Sequence, residues 1–198
     1  MKNKLMLFSG VVMVLEIAIF FWVDYISTAD YLVYQLAARY SGRLSFMIFA
    51  GMMLFTGIVG LKQIFKTERL KSFFIILLSL FSVNHVLHFY FLAMSHLEQN
   101  ETLLIPKNII GGTAYILLIL SPFYLFKREM TTKIYWSVQS FLFLLTVIFF
   151  VSYLRRFMIE FPQPTHIGVL YSIITTIGLL VFLNCYKVFK ESTERHLK

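Results

Sequence analysis

Six long apolar stretches divide the chain, and shorter polar connections separate them. Each stretch is long enough to cross a hydrocarbon core of about 30 Å at about 1.5 Å per residue. Backbone groups in lipid must be hydrogen-bonded within their own segment, so each stretch is predicted to be a helix. We therefore predict one six-helix transmembrane bundle forming a single domain over residues 1–198. The predicted spans are Leu5–Val23, Leu44–Ile64, Phe73–Ser95, Ile109–Phe126, Ile134–Tyr153 and Ile167–Tyr186.

The composition supports a membrane environment. Hydrophobic residues make up 59% of the 198 residues and charged residues 14%, whereas an ordinary soluble domain carries about 25% charged residues. The chain has too little polar surface to cover a water-facing exterior. The prediction is an all-α integral membrane protein with the lipid bilayer as its solvent.

The basic residues predict how the spans are oriented. Thirteen of the 18 Lys and Arg residues fall on the side that holds both termini and the second and fourth loops, and five fall on the other side. Because cytoplasmic loops carry the excess of positive charge, both termini are predicted to be cytoplasmic. The net charge of +8 is thereby explained without nucleic acid as a partner. The Ile- and Phe-rich composition indicates a bacterial cytoplasmic (inner) membrane.

Three further features of the sequence need separate interpretation. The run Leu5–Val23 follows two lysines as a signal peptide would, but it is longer than an ordinary signal-peptide core and contains Glu16, which favours an uncleaved span. The connection Asp24–Arg43 is aromatic and apolar with polar interruptions, which predicts a short helix lying on the outer interface. Asn100 begins a glycosylation sequon on the outer side, a pattern that occurs often by chance.

Ionisable and strongly polar side chains inside spans are the informative ones, because each costs roughly 2.5–3.5 kcal/mol at mid-bilayer unless it is paired. Asn84, His85 and His88 lie on the third span within an arc of about 100°. The rest of that span is mostly Phe, Ile, Leu and Val. The third helix is therefore predicted to turn one polar stripe toward the protein interior.

Glu16 is the carboxylate that lies well inside a predicted span. Counted from the cytoplasmic ends of their helices, Glu16 and His85 are both roughly 16–20 Å deep, so their depths are compatible with a Glu–His contact. Three interpretations of Glu16, Asn84, His85 and His88 remain open: hydrogen bonds that join helices, a haem or metal site on the two histidines, or a path for protons or substrate. Elsewhere Asn184 is predicted to hydrogen-bond between helices.

The order of several segments resembles a known family. The segments that carry the likeness are Asp30-Tyr31-Leu32 through Tyr40-Ser41-Gly42-Arg43, Glu68-Arg69-Leu70-Lys71, His85-Val86-Leu87-His88-Phe89, Ile109-Ile110-Gly111-Gly112 through Ser121-Pro122, and Lys133 through Trp136. Together they cover roughly residues 25–155 and resemble ferric reductase-like transmembrane domains, in particular the haem-binding membrane subunit of the bacterial methionine sulfoxide reductase system.

The resemblance implies electron transfer across the membrane through b-type haem held between histidines of the third and fifth helices. This chain departs from that pattern, because the matching positions near Gln139 and Ser152 are not histidine and the fifth span has none. At most one haem b is expected, on His85 or His88. Pairing His88 with His166 would require a haem close to the outer surface.

Several functions follow from these expectations. The first is electron transfer with one haem, supplied with electrons by a quinone or by a redox partner protein. The second is a divergent member of the same fold that has lost the cofactor and acts as a membrane partner or scaffold. A small proton-coupled transporter using Glu16, His85 and His88 is a third. A metal-dependent enzyme is less favoured, because such sites need three or more convergent ligands.

Overall fold

The computed structural model describes the backbone of residues 2–27, 30–99, 106–126, 129, 131–159 and 164–196. Side chains are described for residues 3, 6–27, 32–99, 112–126, 129, 131–154 and 173–193. Throughout these ranges the regular structure is helical, as predicted. The helices are α1 (Lys2–Ile26), α2 (Asp30–Val59), α3 (Leu61–Lys66), α4 (Glu68–Glu98), α5 (Pro106–Phe126), α6 (Thr132–Ile159) and α7 (Pro164–His196).

Local chemistry explains several helix ends. Gly60 separates α2 from α3 with a φ of +84°, a conformation that costs a residue with a Cβ about 1–3 kcal/mol. Glu68 opens α4, where a carboxylate interacts favourably with the helix dipole. Thr131 caps α6, because its hydroxyl accepts a hydrogen bond from the Ile134 amide at 3.3 Å.

Five helical segments in the described part of the chain are long and apolar enough to cross a membrane. They are Met6–Ile26, Leu32–Val59, Glu68–Glu98, Thr132–Leu154 and Ile173–Thr193. The described part of α5 adds a shorter apolar helix, Gly112–Phe126, where the sequence predicts the fourth span. The all-helical, multi-pass character of the chain is therefore supported, while the count of six spans and the cytoplasmic termini stay predictions.

The main departure from the predicted elements is in α2. The sequence predicts an interfacial helix before residue 43 and a separate span over Leu44–Ile64. Instead, one continuous helix runs from Asp30 to Val59, and the predicted span continues past its end across Gly60 into α3. The polar Arg39, Ser41 and Arg43 interrupt the apolar pattern but none of them breaks a helix, whereas Gly60 does.

The chain separates into two compact units. The first unit comprises Met1–Phe49 and Ser72–Arg128, and the second comprises Ala50–Lys71 and Glu129–Lys198. In the second unit α6 and α7 pack against each other. The first unit contains all the residues proposed from sequence as a shared site, so its core is described in the next subsection.

Candidate functional site

Two apolar clusters in the first unit lie on either side of a polar layer. One cluster consists of Val12, Ile76 and Leu80, with Ile48 and Val83 packed against it. The other consists of Ala37, Ala38 and Phe91, with Phe20 and Tyr34 packed against it. Between them along the three helices lie the four buried residues that we call the polar layer. These are Glu16 on α1, Ser41 and Ser45 on α2, and Asn84 on α4.

Glu16 belongs to the one narrow stripe of α1 that is buried. In the described part of this helix the buried side chains are Val12, Glu16 and Val23, which recur at helical spacing. Most of the large apolar side chains on the other faces are exposed, for example Val14 at 65% and Phe21 at 64%. Glu16 itself is 1% exposed. The carboxylate therefore points inward, as the cost of placing it against lipid requires.

A continuous set of hydrogen bonds joins the polar layer. Oε1 of Glu16 accepts a bond from the Ser41 hydroxyl at 2.8 Å and a second bond from Nδ2 of Asn84. The other end of the Asn84 amide, Oδ1, accepts a bond from the Ser45 hydroxyl. The Ser45 oxygen in turn lies 3.3 Å from Nδ1 of His85. Three helices are linked in this way through buried side chains.

The proton positions along this set can be worked out from the donors available. The Glu16 oxygen accepts, so the Asn84 amide must present its nitrogen to Glu16 and its oxygen to Ser45. Ser45 has one hydroxyl proton and donates it to Asn84, so its oxygen is left as an acceptor for His85. The Ser45 oxygen is then available to accept a hydrogen bond from Nδ1 of His85, whose ring is also hydrogen-bonded to the Phe81 backbone. The Asn84 amide and the hydroxyls of Ser41 and Ser45 all donate toward Glu16.

Aromatic rings and a glycine surround the two histidines. The His85 ring lies 4.2 Å from the Phe81 ring and 5.1 Å from the Tyr115 ring, measured between centroids. The His88 ring centroid is 6.0 Å from that of His85. His88 also packs on Gly42, where an added Cβ would lie 3.3 Å from its Cε1. Gly42 thus gives His88 the room it occupies.

The structure links the proposed residues through two serines that the sequence pattern did not single out. Glu16, Asn84, His85 and His88 share one unit, and Asn84, His85 and His88 do share one region of α4. However, Glu16 bonds to Asn84 and Ser41, and it reaches His85 through Asn84 and Ser45. The i, i+4 spacing of Ser41 and Ser45 on one face of an apolar helix was the signal that could have revealed both serines.

The histidines fit one axial bond to a haem and do not provide two. A metal-ligating histidine usually donates a hydrogen bond from its other ring nitrogen to a fixed acceptor, and the Ser45 oxygen, 3.3 Å from Nδ1 of His85, can be that acceptor. All three histidines within the sequence of the first unit, His85, His88 and His96, lie on α4. Two axial ligands must approach opposite faces of the porphyrin, which neighbouring residues on one helix face do not do. The side chains of His166 and His196 lie outside the described residues.

His85 and His88 were also predicted as ligands of a bare metal ion. Within the described part of the chain, no group of three or more His, Cys, Asp or Glu side chains is placed to hold a metal ion. His85 and His88, predicted as metal ligands, therefore come with no third ligand of these types in the described structure. A structural zinc site uses four ligands and a catalytic one three.

The second unit has polar contacts of a different kind. Asn184 donates to the backbone oxygens of Met53 and Leu180 at 2.9 and 3.0 Å and accepts from the Thr56 hydroxyl at 2.9 Å. The partners of its amide lie on α2 (Met53 and Thr56) and on α7 (Leu180). The predicted interhelical role of Asn184 is therefore confirmed. Nothing in this arrangement suggests a ligand.

A buried carboxylate in the second unit was not predicted. Glu191 on α7 is 6% exposed, and its Oε2 accepts a bond from the Tyr135 hydroxyl at 2.8 Å. Its Oε1 lies against Gly60, together with Cε of Lys187. Residue 191 falls beyond the predicted sixth span, so its burial could not be anticipated from the apolar pattern.

Comparisons of the chain with protein-family models, with curated protein sequences and with solved structures found no match.

Proposed function

We propose that the chain is a six-span protein of a bacterial cytoplasmic membrane, with both termini in the cytoplasm, and that it transfers electrons through one b-type haem on His85. The observation that carries this proposal is the hydrogen-bonded series ending at His85, in which the Ser45 oxygen lies 3.3 Å from Nδ1 of the imidazole. With the ring proton on Nδ1, Nε2 would be the atom that binds the haem iron. The resemblance to ferric reductase-like transmembrane domains supplies the class of cofactor.

Each residue of the series has a separate role in this proposal. His85 would hold the haem iron, and Ser45 would accept the proton on Nδ1 of the imidazole. Asn84 orients Ser45, and Glu16 orients Asn84. The haem supplies one-electron chemistry when it is bound. A quinol or a partner reductase on the cytoplasmic side is the expected electron donor.

The test is a reduced-minus-oxidised absorption spectrum of the full chain, expressed with haem supplied and purified in detergent. We expect Soret and α bands of b-type haem in the native protein and their loss in His85→Ala. His88→Ala is the matched control, since it removes a neighbouring imidazole from the same helix, and it should retain the bands. Retention in His85→Ala with loss in His88→Ala would move the ligand to His88.

Ser45→Ala tests whether the hydrogen bond to His85 matters. Replacing such an outer partner of a ligating histidine typically lowers affinity for the bound group by about 10–100-fold. We expect a weakened haem affinity of that order in titrations of the haem-free protein. The control is Ser79→Ala, whose hydroxyl bonds to the Ile75 carbonyl of its own helix at 2.8 Å and should leave affinity unchanged.

A second candidate function is supported by the hydrogen bonds of the polar layer themselves. The polar layer joins α1, α2 and α4 through buried hydrogen bonds and can act as a structural joint without a cofactor. In this candidate the protein is a membrane partner or scaffold. The absence of haem bands from the native protein after haem feeding, together with lowered stability of Asn84→Ala, would select this candidate over electron transfer.

The orientation of the spans is tested independently. Reporter fusions at the chain ends and after residues 67 and 128 should be active on the cytoplasmic side, while fusions after residues 29 and 103 should be active on the outer side. A reversed pattern would refute the orientation predicted from the basic residues.

A further inference from the structure

We propose that Glu16 is a proton-binding site and that it holds its proton on Oε2 in the folded protein. The proposal rests on the surroundings of the carboxyl group in the polar layer. It does not depend on a haem at His85.

The first support is how the two oxygens of Glu16 differ. Oε1 accepts hydrogen bonds from Ser41 and Asn84. Oε2 is buried and has no hydrogen-bond partner among the residues that the structure describes. The proton therefore has one place to bind without displacing an existing bond, and that place is Oε2.

The second support is the charge of the partners. The hydroxyl of Ser41 and the amide of Asn84 are neutral, so neither balances a carboxylate charge. Burial of an ionised carboxylate without a paired charge is far more costly than burial of a neutral hydrogen-bonding group that lacks one partner. With Oε2 lacking a partner in either form, the neutral acid is the form of lower free energy.

The third support is the isolation of the polar layer. Val12, one turn before Glu16, belongs to one apolar cluster, and Phe20, one turn after it, packs on the other. Glu16 is 1% exposed and Asn84 is fully buried. Apolar packing on both sides keeps the surroundings of Oε2 poor in groups that could stabilise a negative charge.

The titratable and charged groups on the neighbouring helices are few. On α4 they are His85, joined to Glu16 through Ser45 and Asn84, and His88 beside it. On α2 the groups nearest in sequence to Ser41 are Arg39, Tyr40 and Arg43, and the Arg43 guanidinium lies over the Tyr40 ring at 4.7 Å. The described bonds of Glu16 include none of these groups.

Infrared spectroscopy of the full chain in lipid tests the proposal directly. A protonated carboxylic acid has a carbonyl stretch that is separate from the amide I band and shifts to lower frequency in D₂O. We expect such a band at neutral pH in the native protein and its loss in Glu16→Gln. Glutamine keeps the carbonyl that Ser41 and Asn84 donate to, so this variant should fold.

Glu191→Gln is the matched control, because Glu191 is also buried but has its Oε2 occupied by the Tyr135 hydroxyl. This variant should keep the acid band. The same spectra recorded with sodium replaced by a bulky organic cation distinguish a bound proton from a bound metal cation. The proposal would be overturned if the native protein shows no acid band, or if the band persists in Glu16→Gln. It would also be overturned if the band appears only when sodium is removed.

Discussion

A double-mutant cycle on Glu16 and Asn84 gives the most direct measure of the polar layer. Asn84→Ala removes the donor to Glu16 and the acceptor of the Ser45 hydroxyl. Hydrogen bonds between transmembrane helices contribute about 0.6 kcal/mol each. Leaving buried polar partners unsatisfied adds about 1–3 kcal/mol. We therefore expect Asn84→Ala to lower the free energy of unfolding by about 2–4 kcal/mol.

Glu16→Ala should cost a similar amount, because it strands Nδ2 of Asn84 and the Ser41 hydroxyl. The double variant should cost less than the sum of the single variants, since the second substitution removes a group that the first one left unsatisfied. The expected coupling is about 0.6–1.7 kcal/mol, the range measured for interhelical pairs.

Unfolding in mixed micelles with increasing SDS is the assay. The fluorescence of Trp22, which packs on Tyr40 at 4.8 Å between ring centroids, reports on the first unit when Trp136 is replaced by Phe. The control cycle pairs Glu16→Ala with Ser79→Ala, and it should be additive within about 0.5 kcal/mol. Additive costs for Glu16 and Asn84, or single costs below about 0.5 kcal/mol, would refute the hydrogen-bonded polar layer.

Three further predictions concern the second unit. Gly60→Ala should lower the free energy of unfolding of this unit by about 1–3 kcal/mol or more in the same SDS titration, because of the positive φ and the contact with the α7 carboxylate. Gly51→Ala, whose added Cβ would enter open space, should be neutral or stabilising. Asn184→Ala removes three hydrogen bonds and should cost about 1–2 kcal/mol, more than Thr56→Val, which removes one of those three. Tyr135→Phe removes the 2.8 Å hydrogen bond to the α7 carboxylate and should cost about 0.5–3 kcal/mol.

Each of these has an outcome that would count against it. Equal effects of the two glycine substitutions would mean that α2 and α3 are not joined as described. A larger cost for Thr56→Val than for Asn184→Ala would place the stabilising contact elsewhere. An unchanged unfolding midpoint in Tyr135→Phe would show that its hydroxyl contributes nothing measurable.

The helices were predictable because lipid leaves the backbone few alternatives. The inward direction of Glu16 was predictable for a related reason, since the costs of exposing it to lipid are large compared with those of rotating the helix. Where α2 begins was not predictable, because a polar residue in an apolar run marks either an interface or a buried contact. Ser41 proved to be the second case, with no exposure and a bond to Glu16.

The partners of Glu16 illustrate a second limit. Counting residues from the helix ends predicts similar depths for Glu16 and His85, and the two side chains are linked through Asn84 and Ser45. Depth says nothing about how each helix is rotated about its axis, and rotation decided that Asn84, one residue before His85, meets the carboxylate. Serines also escape notice in a sequence, because placing one in a membrane costs little and therefore demands no explanation.

The separation of Glu16 from its partners along the chain has a consequence for biogenesis. Ser41 is synthesised 25 residues after Glu16 and Asn84 68 residues after it. At roughly 5–20 residues per second, the amide arrives about 3–14 s after the carboxyl group. During that interval the carboxyl group of the nascent first helix lacks its Asn84 donor. The first helix therefore has to stay at the insertion machinery or at the water boundary until the later helices emerge and pack against it.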